Sequence, residues 1–109
     1  MNEIKSDVEK LVQKELESAN QRFPMFRSDH EGAAVIFEEI EEAREEMKSL
    51  EGQFGVLWSN VKLDRKISGN IAEYIHKYSI RIACEAIQVA AMAQKFIDSQ
   101  KEREKSEGN

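Results

Sequence analysis

The apolar positions of this chain fall into helical spacings almost from end to end. Ile4, Val8, Leu11, Val12, Leu16 and Ala19 are four, three, one, four and three apart, which lines them on one face of a first helix. Pro24 stops that pattern, because its ring removes an N–H and clashes with the preceding turn. Residues 23–27, Phe-Pro-Met-Phe-Arg, are too apolar for an open loop and are expected to pack down.

Ser28 and Glu31 have the spacing of a capping box and open a second helix, expected over residues 30–50. Its apolar stripe is Ala33, Ile36, Ile40, Ala43, Met47 and Leu50, the three–four alternation of a helix laid lengthwise on others. Glu51-Gly52-Gln53-Phe54-Gly55 reads as a break, followed by a short amphipathic piece with Leu57, Trp58, Val61 and Ile67. Ser68-Gly69-Asn70 reads as a second break, with Asn70 and Glu73 spaced to cap the last helix. That helix is expected over residues 71–100, with the stripe Ile71, Ile75, Tyr78, Ile82, Val89, Ala93 and Phe96. Residues 101–109 offer no apolar side chain to bury and are expected to fray.

The pattern predicts an all-α chain: one domain over residues 1–100 and a frayed tail over 101–109. The domain reads as a helical bundle of three main helices plus one short helix. Two long amphipathic helices present more apolar surface than one partner covers. The bundle is therefore expected to be completed by homo-oligomerisation, as a homodimer or homotetramer.

Composition agrees with a helical bundle: 34% charged residues, 7% aromatic, one proline and five glycines in 109 residues. The net charge of −5 argues against nucleic acid and against an anionic membrane surface as partners. No apolar run approaches the ~20 residues of a membrane span, and the first residues lack a signal-peptide core, so a cytoplasmic location is expected. Cys84 is the only cysteine and reads as a small core or boundary residue. His30 and His76 read as surface residues, with no cluster of the kind zinc requires. The sequence has no glycine-rich phosphate loop and no serine elbow, so any phosphate chemistry must be held by a metal.

Candidate chemistry sits on the second helix. At about 100° per residue, Glu38, Glu41 and Glu45 lie opposite the apolar stripe and face water, whereas Glu39, Glu42 and Glu46 form a strip along its edge. Carboxylates that close repel one another unless something positive binds between them, and oxygen-only ligands suit Mg²⁺ or Mn²⁺. The plain alternative is a solvated face paired with Arg44 and Lys48. On the last helix, Glu85 falls inside the apolar stripe, with Lys77, Arg81 and Gln88 along the same edge. Two readings stand: an Arg81–Glu85 ion pair one turn apart, or a polar pocket between the helices built by Glu39, Glu42, Glu46, Glu85 and Gln88. Trp58 reads as a packing anchor beside Phe54 and Leu57, with stacking on a base as the alternative.

Glu38-Glu39-Ile40-Glu41-Glu42 fits E-E-x-x-E, and Glu85-Ala86-Ile87-Gln88 stands where a second motif, E-x-x-D, would be. With the flanking segments His30–Ile36 and Ile87–Ala93, this resembles the MazG-like all-α nucleoside triphosphate pyrophosphohydrolases, in particular short phage- and prophage-type members, over residues 23–98. The resemblance implies Mg²⁺-dependent hydrolysis of a nucleoside triphosphate between the α and β phosphates, giving the monophosphate and pyrophosphate. It implies Glu39, Glu42 and Glu85 as metal ligands, joined by Glu38 and Gln88, with Glu42 or Glu46 as general base. Lys62, Lys66, Lys77 and Arg81 are the candidates for the phosphate tail. Gln88 departs from the motif, since a neutral amide replaces a carboxylate. Two other functions fit the same pattern: a non-catalytic helical interaction protein, or a hydrolase of another nucleotide-like phosphate ester.

Overall fold

The computed structural model describes residues 2–67 and 69–107 as three helices, α1 (Asn2–Arg22), α2 (Asp29–Lys62) and α3 (Ile71–Glu107), with no strand among the described residues. Ser68 of the second expected break, and Gly108 and Asn109 of the expected tail, lie outside the described residues.

Helix α1 ends just before Phe23-Pro24, where proline disfavours helical backbone in the residue ahead of it. The 23–27 connector packs down as expected. Phe26 is buried, its N–H donates to Ser99 Oγ at 3.0 Å, and its carbonyl accepts from Arg103 Nη1 at 2.9 Å. Ser28 caps α2 by accepting from the Glu31 N–H at 3.1 Å.

Two expected helix boundaries are corrected. The break at Gly52 and Gly55 is absent: α2 runs through both, so the short helix is its second half and the bundle has three helices. Neither glycine takes positive φ, and one glycine costs a helix only about 1 kcal/mol relative to alanine, too little to stop it without a cap or a proline. The real stop is at Leu63–Arg65. There Asp64 adopts left-handed backbone (φ 53°), and the Arg65 N–H returns to the Asn60 carbonyl at 2.9 Å. The second correction is at the other end. Helix α3 continues past residue 100 to Glu107, held by Arg103, which reaches both Phe26 and Asp29.

Helices α2 and α3 form an antiparallel hairpin: Gly32 lies against Phe96, Glu39 against Gln88 and Glu46 against Arg81. Helix α1 packs on α3, and among the described residues its backbone stays clear of α2. Leu16, Ala19, Phe26, Ala91 and Met92 form the core, with Val12, Val35, Ile36 and Phe96 at its edge. That core fills one end of a molecule 69 Å long, 30 Å wide and 22 Å thick. The radius of gyration, 18.8 Å, well exceeds the roughly 13 Å of a compact chain this size. Apolar side chains consequently stay in the open along the outer length: Ile4, Leu11, Phe37, Met47, Phe54 and Trp58 are all exposed. Cys84 is exposed too, rather than in the core or at its boundary. No helix is long and apolar enough to cross a membrane among the described residues.

Candidate metal centre

The antiparallel register of α2 and α3 decides which carboxylates meet. Glu39 and Glu42, one turn apart on α2, face Glu85 on α3, and each offers an oxygen within 4.8 Å of the other two. Glu85 also shares a hydrogen bond with Glu42. Glu39 and Glu85 are half-buried, whereas Glu42 is exposed. Burial, then the charges of Glu42, Glu15 and Glu38, push the Glu39 carboxyl above its ordinary range. Glu85 is raised by burial first, then by its hydrogen bond with Glu42 and by the charges of Glu42, Glu39 and Glu46.

Gln88 closes the cluster. With its amide oriented so that nitrogen faces the carboxylates, it donates to Glu39 at 2.7 Å and to Glu85 at 3.1 Å. So oriented, the amide cross-links one carboxylate from each helix. Arg81 does not pair with Glu85. It lies 3.9 Å from Glu46 across the hairpin and over the Tyr78 ring, so an interhelical contact stands in place of the i, i+4 ion pair, one of the two readings of the sequence.

The remaining expected site residues sit as follows. Glu38 and Glu41 are on the outer face with Glu45, which pairs with Lys48 at 3.6 Å. Glu38 thus borders the centre without joining it. Lys62 and Trp58 contact each other near the far end of α2. At 1.5 Å per residue they lie about 30 and 24 Å along the helix from Glu42, so neither reaches this chain's centre. Lys66 stands beyond the end of α2, in the connector to α3. Lys77 is exposed on α3, two turns before Glu85.

The donor set fits a hard divalent cation: three carboxylates, all oxygen, none ion-paired to a lysine or arginine among the described residues. Three negative groups this close, two of them partly desolvated, are stabilised by proton sharing, by an amide donor or by a metal.

Sequence reasoning missed the second half of the site. Beside the centre, in the gap left where α1 and α2 both rest on α3, opens a cleft of about 390 Å³. Glu39 and Gln88 border its inner end, and Lys95 borders the other. Lys95 is 2% exposed and has no ion pair or side-chain hydrogen bond among the described residues; its ammonium lies 5.0 Å from the centre of the Phe26 ring. Desolvation lowers its pKa, with Glu31 partly opposing the shift. The signal was spacing: Gln88, Met92, Lys95 and Ser99 are four, three and four apart, which puts Lys95 on the same face as Met92. No family model, curated protein or solved structure matches the chain.

Proposed function

We propose that the chain is a Mg²⁺-dependent nucleoside triphosphate pyrophosphohydrolase of the MazG-like type. The observation that carries this reading is the convergence of Glu39, Glu42 and Glu85 from two helices, at the positions the two motifs single out. Glu39, Glu42 and Glu85 would hold the ion, with Mn²⁺ as an alternative. A bound divalent cation supplies neutralisation of phosphate charge and a more acidic water.

The chain's own groups divide the remaining work. Glu42 is the exposed member of the three, so it is the carboxylate that meets water and can take its proton. Glu46 is engaged by Arg81 and ranks second for that role. Water adds across the α–β anhydride, one product leaves as pyrophosphate and the other as the monophosphate. Arg81, one turn before Glu85, is the guanidinium best placed to meet the phosphate tail, with Lys77 a turn beyond. Lys62 and Trp58 lie too far along α2 to take part in this centre within one chain, and Lys66 follows them in the connector.

A second copy of the chain is the proposed cover for the apolar stripe that α3 leaves open, where Phe37, Ile40, Met47 and Ile97 remain exposed on the hairpin. The cytoplasm is the proposed location, as the sequence leads one to expect.

One observation favours a second reading. Gln88 already satisfies Glu39 and Glu85 without an ion, as a scaffold retained for association alone would require. Incubation with each NTP and dNTP plus Mg²⁺ separates the two. Pyrophosphate release, lost in Glu39→Gln and Glu42→Gln variants that keep their helicity, supports the hydrolase. Release at the wild-type rate from both variants rejects these roles, and no release from any nucleotide leaves the scaffold reading.

A further inference from the structure

The cleft beside the carboxylates holds a buried cation, Lys95, whose ammonium lies over the Phe26 ring and has no hydrogen-bond acceptor among the described residues. A ring face does not satisfy the N–H groups of an ammonium, so a lysine kept in this position needs an acceptor. The side chain is almost wholly buried, yet no buried nitrogen among the described residues is left without a hydrogen-bond partner, so its amine opens onto the cleft. The acceptor therefore comes from whatever fills that space.

The lining narrows the choice. Glu15, Glu31, Glu38 and Glu39 border the same cleft and outnumber its two cations, Lys95 and Arg22, which makes it a poor place for a polyphosphate. Ala19, Phe26, Val35 and Met92 supply an apolar wall from all three helices and the connector. The fitting occupant is a flat, uncharged, largely apolar group that carries a hydrogen-bond acceptor. Lys95 lies seven residues beyond Gln88 on α3, a rise of about 10 Å from the carboxylate end of the cleft. That is the reach of a nucleoside whose phosphate lies at the carboxylates.

We propose that Lys95 is a specificity residue that donates from Nζ to a ring carbonyl of the nucleobase, so that the cleft disfavours adenine, the common base without a carbonyl. The proposal rests on the nucleotide reading above. It gives that reading a base pocket inside one chain, where Trp58 cannot serve.

The test is calorimetric titration of the full chain in Mg²⁺ with dTMP, dGMP, dCMP and dAMP. The three carbonyl-bearing nucleotides are expected to bind about tenfold more tightly than dAMP, the worth of one good hydrogen bond. Lys95→Met is expected to erase that gap while retaining Mg²⁺ binding. Should Lys95→Met not fold, inosine monophosphate against purine riboside monophosphate, which lacks the carbonyl, reads the same gap in the wild type. Equal affinities across the wild-type panel, or a gap that survives Lys95→Met, overturn the proposal. So does tight binding of inorganic pyrophosphate that depends on Lys95, because it makes the residue an anion site. A base gap without pyrophosphate release from triphosphates keeps the pocket and rejects the hydrolase; release without a gap does the reverse.

Discussion

The side-chain amide of Gln88 donates to the Glu39 carboxylate at 2.7 Å, across the interface between α3 and α2. A carboxylate at that position could not make this contact without a proton or a metal between the two. Gln88 therefore sets the charge of the centre at three carboxylates rather than four. Gln88→Asp is predicted to raise Mg²⁺ affinity, by about tenfold for one added anionic ligand, and to lower the melting temperature of the metal-free protein. Calorimetry and thermal unfolding with and without Mg²⁺ check both. A variant that is more stable than wild type without metal would show that Gln88 is not bridging the carboxylates.

The raised pKa values of Glu39 and Glu85 carry a sign. Burial is the main cause for both, so the folded protein holds protons that the unfolded chain has already released. Stability of the metal-free protein then falls as pH rises above the ordinary carboxylate range, and is regained as pH drops back towards it. Divalent cations compete with those protons, so their affinity rises over the same interval. Melting curves taken upward from the ordinary carboxylate range should show this slope in the wild type and a shallower one in the Glu39→Gln/Glu85→Gln double variant. Equal slopes would assign the effect to other groups.

Gly52 and Gly55 have open space on every side where a Cβ would stand, and both sit inside α2 with ordinary helical φ. Replacing each by alanine is predicted to stabilise the protein by about 0.5–1 kcal/mol through helix propensity alone. Denaturant midpoints test this. Loss of stability would mean that the chain bends or breaks there, as the sequence pattern first suggests.

Gly32 is the opposite case. A Cβ there would come within 2.5 Å of Phe96 and 3.0 Å of Phe26. Gly32→Ala is predicted to cost about 1–3 kcal/mol by prising the start of α2 from α3. Ser99→Ala should cost a similar amount, about 1–3 kcal/mol, by leaving the buried Phe26 N–H without its acceptor. Wild-type stability in both variants would contradict the packing of the 23–27 connector.

Periodicity made most of the fold legible. The Ser28 cap, the stop ahead of Pro24 and the inward edge carrying Glu39 and Glu42 all follow from local spacing and turn chemistry. The convergence of those glutamates with Glu85 was legible because Glu85 interrupts an apolar stripe. Two things were not. Glycine in a long helix looks like a stop in one dimension, yet its cost is small beside the packing of 34 residues. The apolar pattern puts the buried face of α3 through Val89, Ala93 and Phe96, whereas the face shared by α1 and α2 runs through Gln88, Met92, Lys95 and Ser99, about 100° away. One helix packing two neighbours has two buried faces, and spacing alone favours the more apolar. Lys95 escapes the pattern for that reason, and the distant placement of Lys62 and Trp58 follows from the unbroken length of α2.

The central claim is that Glu39, Glu42 and Glu85 form a divalent-cation site. Calorimetric titration of the wild type and of Glu85→Gln with Mn²⁺, at a pH above the raised carboxylate range, tests it most directly. The account predicts one ion per chain in the wild type, displaced by Mg²⁺, and at least tenfold weaker binding in Glu85→Gln, the cost of one lost anionic ligand. Absence of binding in the wild type, or equal binding in the variant, would contradict it.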